Sequence, residues 1–230
     1  MLNLRTIRAI SLDLDDTLWP IWPTIERAET VLHEWLALNA PMTAARFATP
    51  QALREIRNAM ELQRPDLAHD LAALRRESIR VALCSAGDDP ALAEPAFELF
   101  FAERHNVTLF PDALPALEFL AARYPLVSLT NGNAELGRIG LESFFVASVA
   151  AIKVGLSKPD PRIFHAAVQA AGVQPEEVLH VGDDALLDVL GARNSGMQAA
   201  WLNRTQALWP HEERPDLELS SLGELCNALT

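Results

Sequence analysis

Hydrophobic spacing divides the chain into three textures. Ala9-Ile10-Ser11-Leu12 is a short alternating run that reads as a buried strand and ends in Asp13-Leu14-Asp15-Asp16-Thr17. Trp19-Pro20-Ile21-Trp22-Pro23 follows, and its two prolines, which fix φ and remove donors, predict a stiff connection rather than a helix. From Thr24 to about Asn106 apolar residues recur at helical spacing. Ile25, Ala28, Leu32, Trp35 and Leu36 share one face behind Thr24 as N-cap. Thr49-Pro50 opens a second helix through Leu53, Ile56 and Met60, Pro65-Asp66 a third that Gly87 ends, and Asp89-Pro90 a fourth bearing Phe97, Phe100 and Phe101. Four amphipathic helices with short connections predict a small helical bundle.

Beyond Pro111 strands and helices alternate. A helix over 113–123 precedes the strand Leu126–Thr130, which ends in Asn131-Gly132-Asn133. Phe145 to Ala151 is a further strand. Asp160-Pro161 caps a helix stopped by Gly172. Val178–Val181 is a strand that runs into Gly182-Asp183-Asp184, a helix reaches about Asn194, and Gln198–Leu202 is the last strand. The polar tail from Arg204 is expected as loop before a short helix near Leu222. This alternation predicts βαβ units and a parallel sheet, an α/β class with a Rossmann-like core. Ligands of such sheets bind beyond the carboxyl ends of the strands. The polar clusters at Asp13–Thr17, Thr130–Asn133 and Gly182–Asp188 all fall at such ends, which is the main evidence for a site.

Composition narrows the partners. The 230 residues include 31 acidic and 19 basic ones, a formal net charge of −12, which argues against nucleic acid or an anionic membrane as partner. A small anionic ligand is still compatible, because a local site can be positive on an acidic protein. No protein partner is evident. No stretch approaches the ~18 consecutive apolar residues of a membrane span, and the amino terminus does not resemble a signal peptide. Two distant cysteines, Cys84 and Cys226, form no redox or metal motif. A cytoplasmic location is the expectation.

The chemistry follows from crowding. Like charges as close as those of Asp13, Asp15 and Asp16 disfavour ionisation unless donors or a cation hold them. Asp13 and Asp15 share one side of an extended segment. Thr130 and Asn131 offer a hydroxyl and backbone N–H groups in a tight turn suited to phosphate. Lys158 sits between stiffening prolines, and Asp183, with Asp184 and Asp188, adds carboxylates. A divalent cation with a preference for oxygen would balance the set; Mg²⁺ typically takes one or two carboxylates plus waters and substrate phosphate.

In order and spacing these segments resemble the four motifs of the haloacid dehalogenase (HAD) superfamily over nearly the whole chain. Asp13-Leu14-Asp15-Asp16-Thr17 is similar to DxDxT, Thr130 to the second motif, Lys158-Pro159 to the third, and Gly182-Asp183 with Asp188 to the fourth. The resemblance implies a core of residues 1–20 and 108–230 and a helical cap of 21–107. It implies Asp13 as the nucleophile that becomes an aspartyl-phosphate and Asp15 as acid and then base. Thr130, Asn131 and Lys158 would hold the phosphoryl oxygens. Mg²⁺ would be held by Asp13, the Asp15 carbonyl and Asp183, with Asp188 orienting waters or Lys158 and Asp184 as a further metal candidate. Asp15 favours phosphate-ester hydrolysis over dehalogenation, because a halide needs no leaving-group acid. A phosphomutase shares the same motifs.

Thr130–Ala134, Leu179–Asp184, Ser195–Ala199 and the Pro65–Asp70 segment resemble the YigB-type bacterial phosphatases. That likeness implies a small phosphorylated metabolite as substrate, either flavin mononucleotide or a riboflavin-pathway intermediate. The chain departs from that group in its Trp-rich linker, and a nucleotide or sugar phosphate is the alternative. Trp19 and Trp22 could stack on a flat ring or pack a hinge. His69 and Arg75 are cap candidates for substrate contact, with a solvated helix face as the other reading. His180 reads as a satisfied core histidine. From another class, a phosphoacceptor receiver domain uses similar residues, yet is shorter, lacks a helical insert and has no use for Asp15.

Overall fold

The computed structural model describes residues 3–230; Met1 and Leu2, assigned above to the core domain, lie outside them. In chain order, β1 (Ala9–Leu12) leads to five helices: α1 (Ile21–Asn39), α2 (Pro41–Arg46), α3 (Pro50–Gln63), α4 (Leu71–Ala86) and α5 (Ala93–Arg104). Then come α6 (Ala113–Ala121), β2 (Leu126–Thr130), α7 (Leu136–Ile139), β3 (Ala147–Ala150), α8 (Ala151–Val154), α9 (Pro161–Ala171) and β4 (Val178–Gly182). A single π-helical stretch, Ala185–Leu190, runs into α10 (Gly191–Asn194), followed by β5 (Gln198–Leu202), β6 (Leu217–Leu219) and α11 (Leu222–Ala228). The chain separates into two compact units: the residues up to Pro20 with Thr108–Thr230, and Ile21–Val107.

The first unit is α/β and Rossmann-like. Its six strands lie in the order β3-β2-β1-β4-β5-β6, and every pair is parallel. All of β1, β2 and β4 is buried, so the polar Ser11, Ser128 and His180 lie inside the sheet and neither face of these strands is left to solvent. Ala9, Val127, Leu129, Ile163, Phe164 and Val189 belong to one core cluster of this unit. The strand order reverses at β1, which has β2 on one side and β4 on the other, so the crevice where such sheets bind ligands opens beyond Leu12.

The second unit is a helical bundle with its own core, which includes Leu32, Leu36, Leu83, Phe97 and Phe100. Each such side chain contributes about 1.5–3 kcal/mol by leaving water. Its boundaries correct two expectations. The Trp22-Pro23 segment is helical, because α1 begins at Ile21 and Pro23 falls in the first turn, where backbone N–H groups have no intrahelical partner to lose. Thr24 is therefore inside the helix and not its cap. The third helix begins later than Pro65, which opens only a 3-10 turn (Pro65–Leu67). Asp70 Oδ1 accepts the Ala73 N–H at 2.8 Å and starts α4 there. Short α2 was not anticipated.

Arg75 was expected on a solvated face and is instead buried in this bundle. Its Nη2 donates to Glu29 Oε1 at 3.0 Å, and its guanidinium lies 4.3 Å from the Phe100 ring centroid. Glu29, 1% exposed, also accepts Arg54 Nε at 2.8 Å on its other oxygen. Removing the charge leaves Arg75 buried without its counter-ion. Glu29→Gln should destabilise the protein by about 2 kcal/mol, read as a lower urea midpoint in fluorescence-monitored unfolding. Strand β6 was likewise missed: three residues with Glu218 between two leucines carry too little periodicity to register.

Candidate active site

Sheet register delivers the acidic residues to one edge. Leu12 is level with Val181, and the Asp13 N–H donates to the Val181 carbonyl at 2.9 Å, so Asp13 and Asp183 leave neighbouring strands side by side. Thr130 ends β2 on the other flank of β1. Lys158 arrives on the loop before α9, and Asn131 holds that loop. The Asn131 side chain donates to the Lys158 carbonyl at 3.0 Å and accepts the Lys158 N–H at 2.7 Å. Both amide atoms of Asn131 are thus spent on aiming the lysine, a role that its place beside Thr130 did not reveal.

The ammonium of Lys158 bridges two buried carboxylates, donating to Asp13 Oδ1 at 2.6 Å and Asp188 Oδ1 at 2.5 Å. Asp188 has further donors, the Asp184 N–H on Oδ2 at 3.0 Å and His180 Nε2 on Oδ1 at 3.1 Å. His180 is a satisfied histidine with a specific task. Burial pushes its pKa down, so the ring is neutral; with Nε2–H on the carboxylate, Nδ1 accepts the Ser11 hydroxyl at 2.7 Å. Ser11 and His180 therefore tie β1 to the charge centre, and only the in-register pairing of two buried strands could have revealed this. Asp188 also approaches the backbone closely. A Cβ on Gly182 would stand 2.3 Å from its Cγ, so glycine is required there.

One lysine faces too many carboxylates. Burial pushes Asp13 up to about 7, with Asp188 and Asp15 adding to the effect and Lys158 opposing it. Burial also raises Asp183 to about 8, helped by the charges of Asp13, Asp188 and Asp16. Burial would raise Asp188 too, but Lys158 and His180 outweigh it and hold that carboxyl below the usual range. The same two carboxylates overcome burial to hold Lys158 charged, above the ordinary lysine range. Asp188 thus takes the lysine, and Asp13 and Asp183 are left crowded. Carboxylate oxygens of Asp13, Asp183 and Asp188 lie within 4.8 Å of one another, and among the described residues no protein donor reaches the Asp183 carboxylate. This oxygen-only, under-neutralised set fits a hard divalent cation such as Mg²⁺.

Asp13, Thr130, Asn131, Lys158, Asp183 and Asp188 are thus brought to one edge of the sheet. Asp184 does not join them: it is exposed, and its Oδ1 caps the π-helical stretch by accepting the N–H groups of Leu186 and Leu187 at 2.8 and 2.7 Å. Trp19 is corrected as a stacking candidate, because it is 0% exposed and its indole Nε1–H is directed to Asp15 Oδ1 at 2.8 Å. Thr17 is buried with Oγ1 unpartnered among the described residues; its carbonyl accepts Arg204 Nη2 at 3.0 Å. Trp22, His69 and Arg75 belong to the helical unit. There Trp22 is 57% exposed with the Arg54 guanidinium 5.3 Å from its ring centroid, and His69 is half-buried in the turn before α4.

The site is thus a lysine-bridged carboxylate cluster at the switch point of a parallel sheet. In comparison with known proteins, a model of the haloacid dehalogenase-like hydrolases matches residues 7–196. The chain is 33% identical to the 5-amino-6-(5-phospho-D-ribitylamino)uracil phosphatase YigB of Escherichia coli (strain K12), with 98% of each chain covered. It is 39% identical to a phosphoserine phosphatase of Thermus thermophilus, over 66% of this chain and 63% of that one. Among solved structures, one described as a 2-haloacid dehalogenase from Pseudomonas syringae pv. Tomato DC3000 superposes with a TM-score of 0.88 at 38% identity, covering 97% of this chain and 98% of that one. The chain belongs to the haloacid dehalogenase-like hydrolase family. Within it, this enzyme is a phosphatase, a phosphoric monoester hydrolase.

Proposed function

We propose that the enzyme is Mg²⁺-dependent, works through an aspartyl-phosphate on Asp13, and acts on a phosphoribityl ester. Flavin mononucleotide and 5-amino-6-(5-phospho-D-ribitylamino)uracil are the two candidates. The observation that carries the phosphatase chemistry is a second carboxylate, Asp15, two residues beyond the nucleophile and oriented by a buried indole. A halide leaves without a proton, whereas an alkoxide does not, so this carboxylate has work only in ester cleavage. The E. coli relative supports the substrate class, since both candidates are primary phosphate esters of a ribityl chain that ends in a flat heterocycle.

In this reading one Asp13 oxygen attacks phosphorus as the ester P–O bond breaks, and Asp15 passes its proton to the departing oxygen. Asp15 then takes a proton from water as the water oxygen bonds phosphorus and the Asp13–phosphorus bond breaks. Lys158 neutralises phosphoryl oxygens. Thr130 Oγ1 already accepts the Gly132 N–H at 2.9 Å, so its own proton is available to donate to phosphate. Asn131 aims the lysine, and Asp188 with His180 keeps it charged. Asp13, Asp183 and the Asp15 carbonyl would hold Mg²⁺, which supplies Lewis-acid neutralisation of phosphate charge. Residues 21–107 act as a cap that selects the substrate. The location is cytoplasmic, in keeping with two free cysteines and with no described helix long and apolar enough to cross a membrane.

Two measurements test this reading. Asp15→Asn should lower kcat/KM for an alkyl phosphate by roughly 10²–10⁴-fold and for p-nitrophenyl phosphate far less, because p-nitrophenolate leaves unprotonated. Equal losses would remove Asp15 from the acid role, and halide release from 2-chloropropionate would favour dehalogenation instead. Asp183→Asn should raise the Mg²⁺-free melting temperature by ~2–8 °C, from about 1–2 kcal/mol of relieved crowding. The same substitution should abolish the further rise that Mg²⁺ gives the wild type. A wild-type melting temperature indifferent to Mg²⁺ would count against the metal site. A panel of ribityl, nucleotide and sugar phosphates identifies the substrate.

A further inference from the structure

We infer that Trp19 is a positioning residue for the proton transfers of Asp15: its indole N–H holds Asp15 Oδ1 as a permanent acceptor and thereby assigns the mobile proton to Oδ2. The inference rests on the proposed acid–base role of Asp15 and adds a residue outside the segments matched to the four motifs above.

The backbone between the two residues is built to bring them together. Asp16 adopts a left-handed φ of 58°, uncommon outside glycine but tolerated by aspartate. The Asp16 N–H donates to the Trp19 carbonyl at 2.8 Å, and the Leu18 N–H to the Leu14 carbonyl at 2.8 Å. These bonds close a tight loop in which Asp15 and Trp19 form an isolated parallel bridge. Trp19 is 0% exposed, so surrounding packing sets the plane of its ring. A buried indole N–H left without an acceptor is costly, and here its acceptor is Asp15 Oδ1 at 2.8 Å. The side chains are four residues apart on a closed loop, so neither can turn away without breaking the bond.

An indole nitrogen donates and never accepts. The carbonyl oxygen of a carboxyl is the stronger acceptor, so the indole favours that form at Asp15 Oδ1 and the transferable proton on Oδ2. The same oxygen gives the proton to the leaving alkoxide as the ester bond breaks, and recovers one from water as the aspartyl-phosphate is hydrolysed. Without the indole bond Oδ1 loses its fixed donor, and the fraction of encounters with a proton correctly aimed falls. The effect belongs to orientation, so it appears in kcat/KM for substrates whose leaving group needs a proton.

Trp19→Phe removes the N–H and keeps an aromatic ring. Replacement of Trp19 by benzothienylalanine, with sulfur in place of N–H, keeps the packing as well and serves if the phenylalanine variant does not fold. Both should lower kcat/KM for β-glycerol phosphate by about tenfold, the scale of one lost hydrogen bond. Both should leave p-nitrophenyl phosphate within about twofold and KM little changed, so that dependence on leaving-group acidity across aryl phosphates steepens. An equal loss on both substrates, or no loss on either, would overturn the positioning role. Asp15→Asn assayed alongside separates the two ideas. If that variant shows the leaving-group pattern and the Trp19 variants do not, the indole inference fails alone; if Asp15→Asn lacks the pattern, the acid assignment fails with it.

Discussion

Asp13→Asn is expected to reduce phosphate release by at least ~10⁴-fold, the scale on which loss of a covalent nucleophile acts, while the protein stays folded. An amide oxygen is a poor nucleophile toward phosphorus, yet asparagine matches the shape of aspartate and can still accept the Lys158 ammonium. The substitution also relieves charge crowding, since Asp13 is a buried carboxylate that competes with Asp188 for one lysine. Its melting temperature without Mg²⁺ should equal or exceed that of the wild type. Measurable turnover by the well-folded variant, after exclusion of contaminating phosphatase, would sink the covalent mechanism.

Lys158→Met is the second large effect, and here stability is the main readout. The lysine is almost wholly buried between two carboxylates, and methionine fills the same space without charge. Breaking a buried ion pair from one side typically costs 3–5 kcal/mol, because the remaining charges lie uncompensated. For a protein of this size that corresponds to roughly 6–20 °C in melting temperature. The sign with pH is fixed by the partners. At neutral pH Asp188 is charged and Asp13, raised to about 7, is partly so, and both lose their counter-ion in the variant; on acidification both protonate, and the gap between variant and wild type should narrow. Adding Asp188→Asn should recover much of the lost stability and none of the activity. A variant as stable as the wild type at neutral pH would mean that the lysine does not neutralise this centre.

The parts legible in the chain were those written in local periodicity and short motifs. Buried strands β1, β2 and β4 announced themselves as short, mostly apolar stretches, and Asp13, Thr130, Lys158 and Asp183 each end or follow a strand or sit in a Pro-stiffened loop. The parts that were not legible depend on what crosses from one element to another. Arg75 resembles any helix-surface arginine until α1 places Glu29 against it. Trp19 in a proline-rich stretch suggests an exposed ring, and only the Asp15–Trp19 loop turns it inward. Pro23 is a helix breaker by type and a first-turn residue by position. Asn131 offered a turn amide; its side-chain clamp on Lys158 spans 27 positions and leaves no local trace.

The sheet order also bears on how the chain assembles during synthesis. Strand β1 is made first, yet both of its neighbours, β2 and β4, lie far downstream, beyond the whole helical unit. The lysine that completes the charge centre is 145 positions from Asp13. The helices of Ile21–Val107 can find their own contacts as they emerge, because their core is contained within that stretch. The apolar run Ala9–Leu12 has to wait, unpaired on both edges until Leu126–Thr130 has left the ribosome and on one edge until Val178–Gly182 has. Loop closure of this length makes the β1–β4 pairing a slow, late event. On the nascent chain, β1 is accordingly the segment most in need of protection from aggregation.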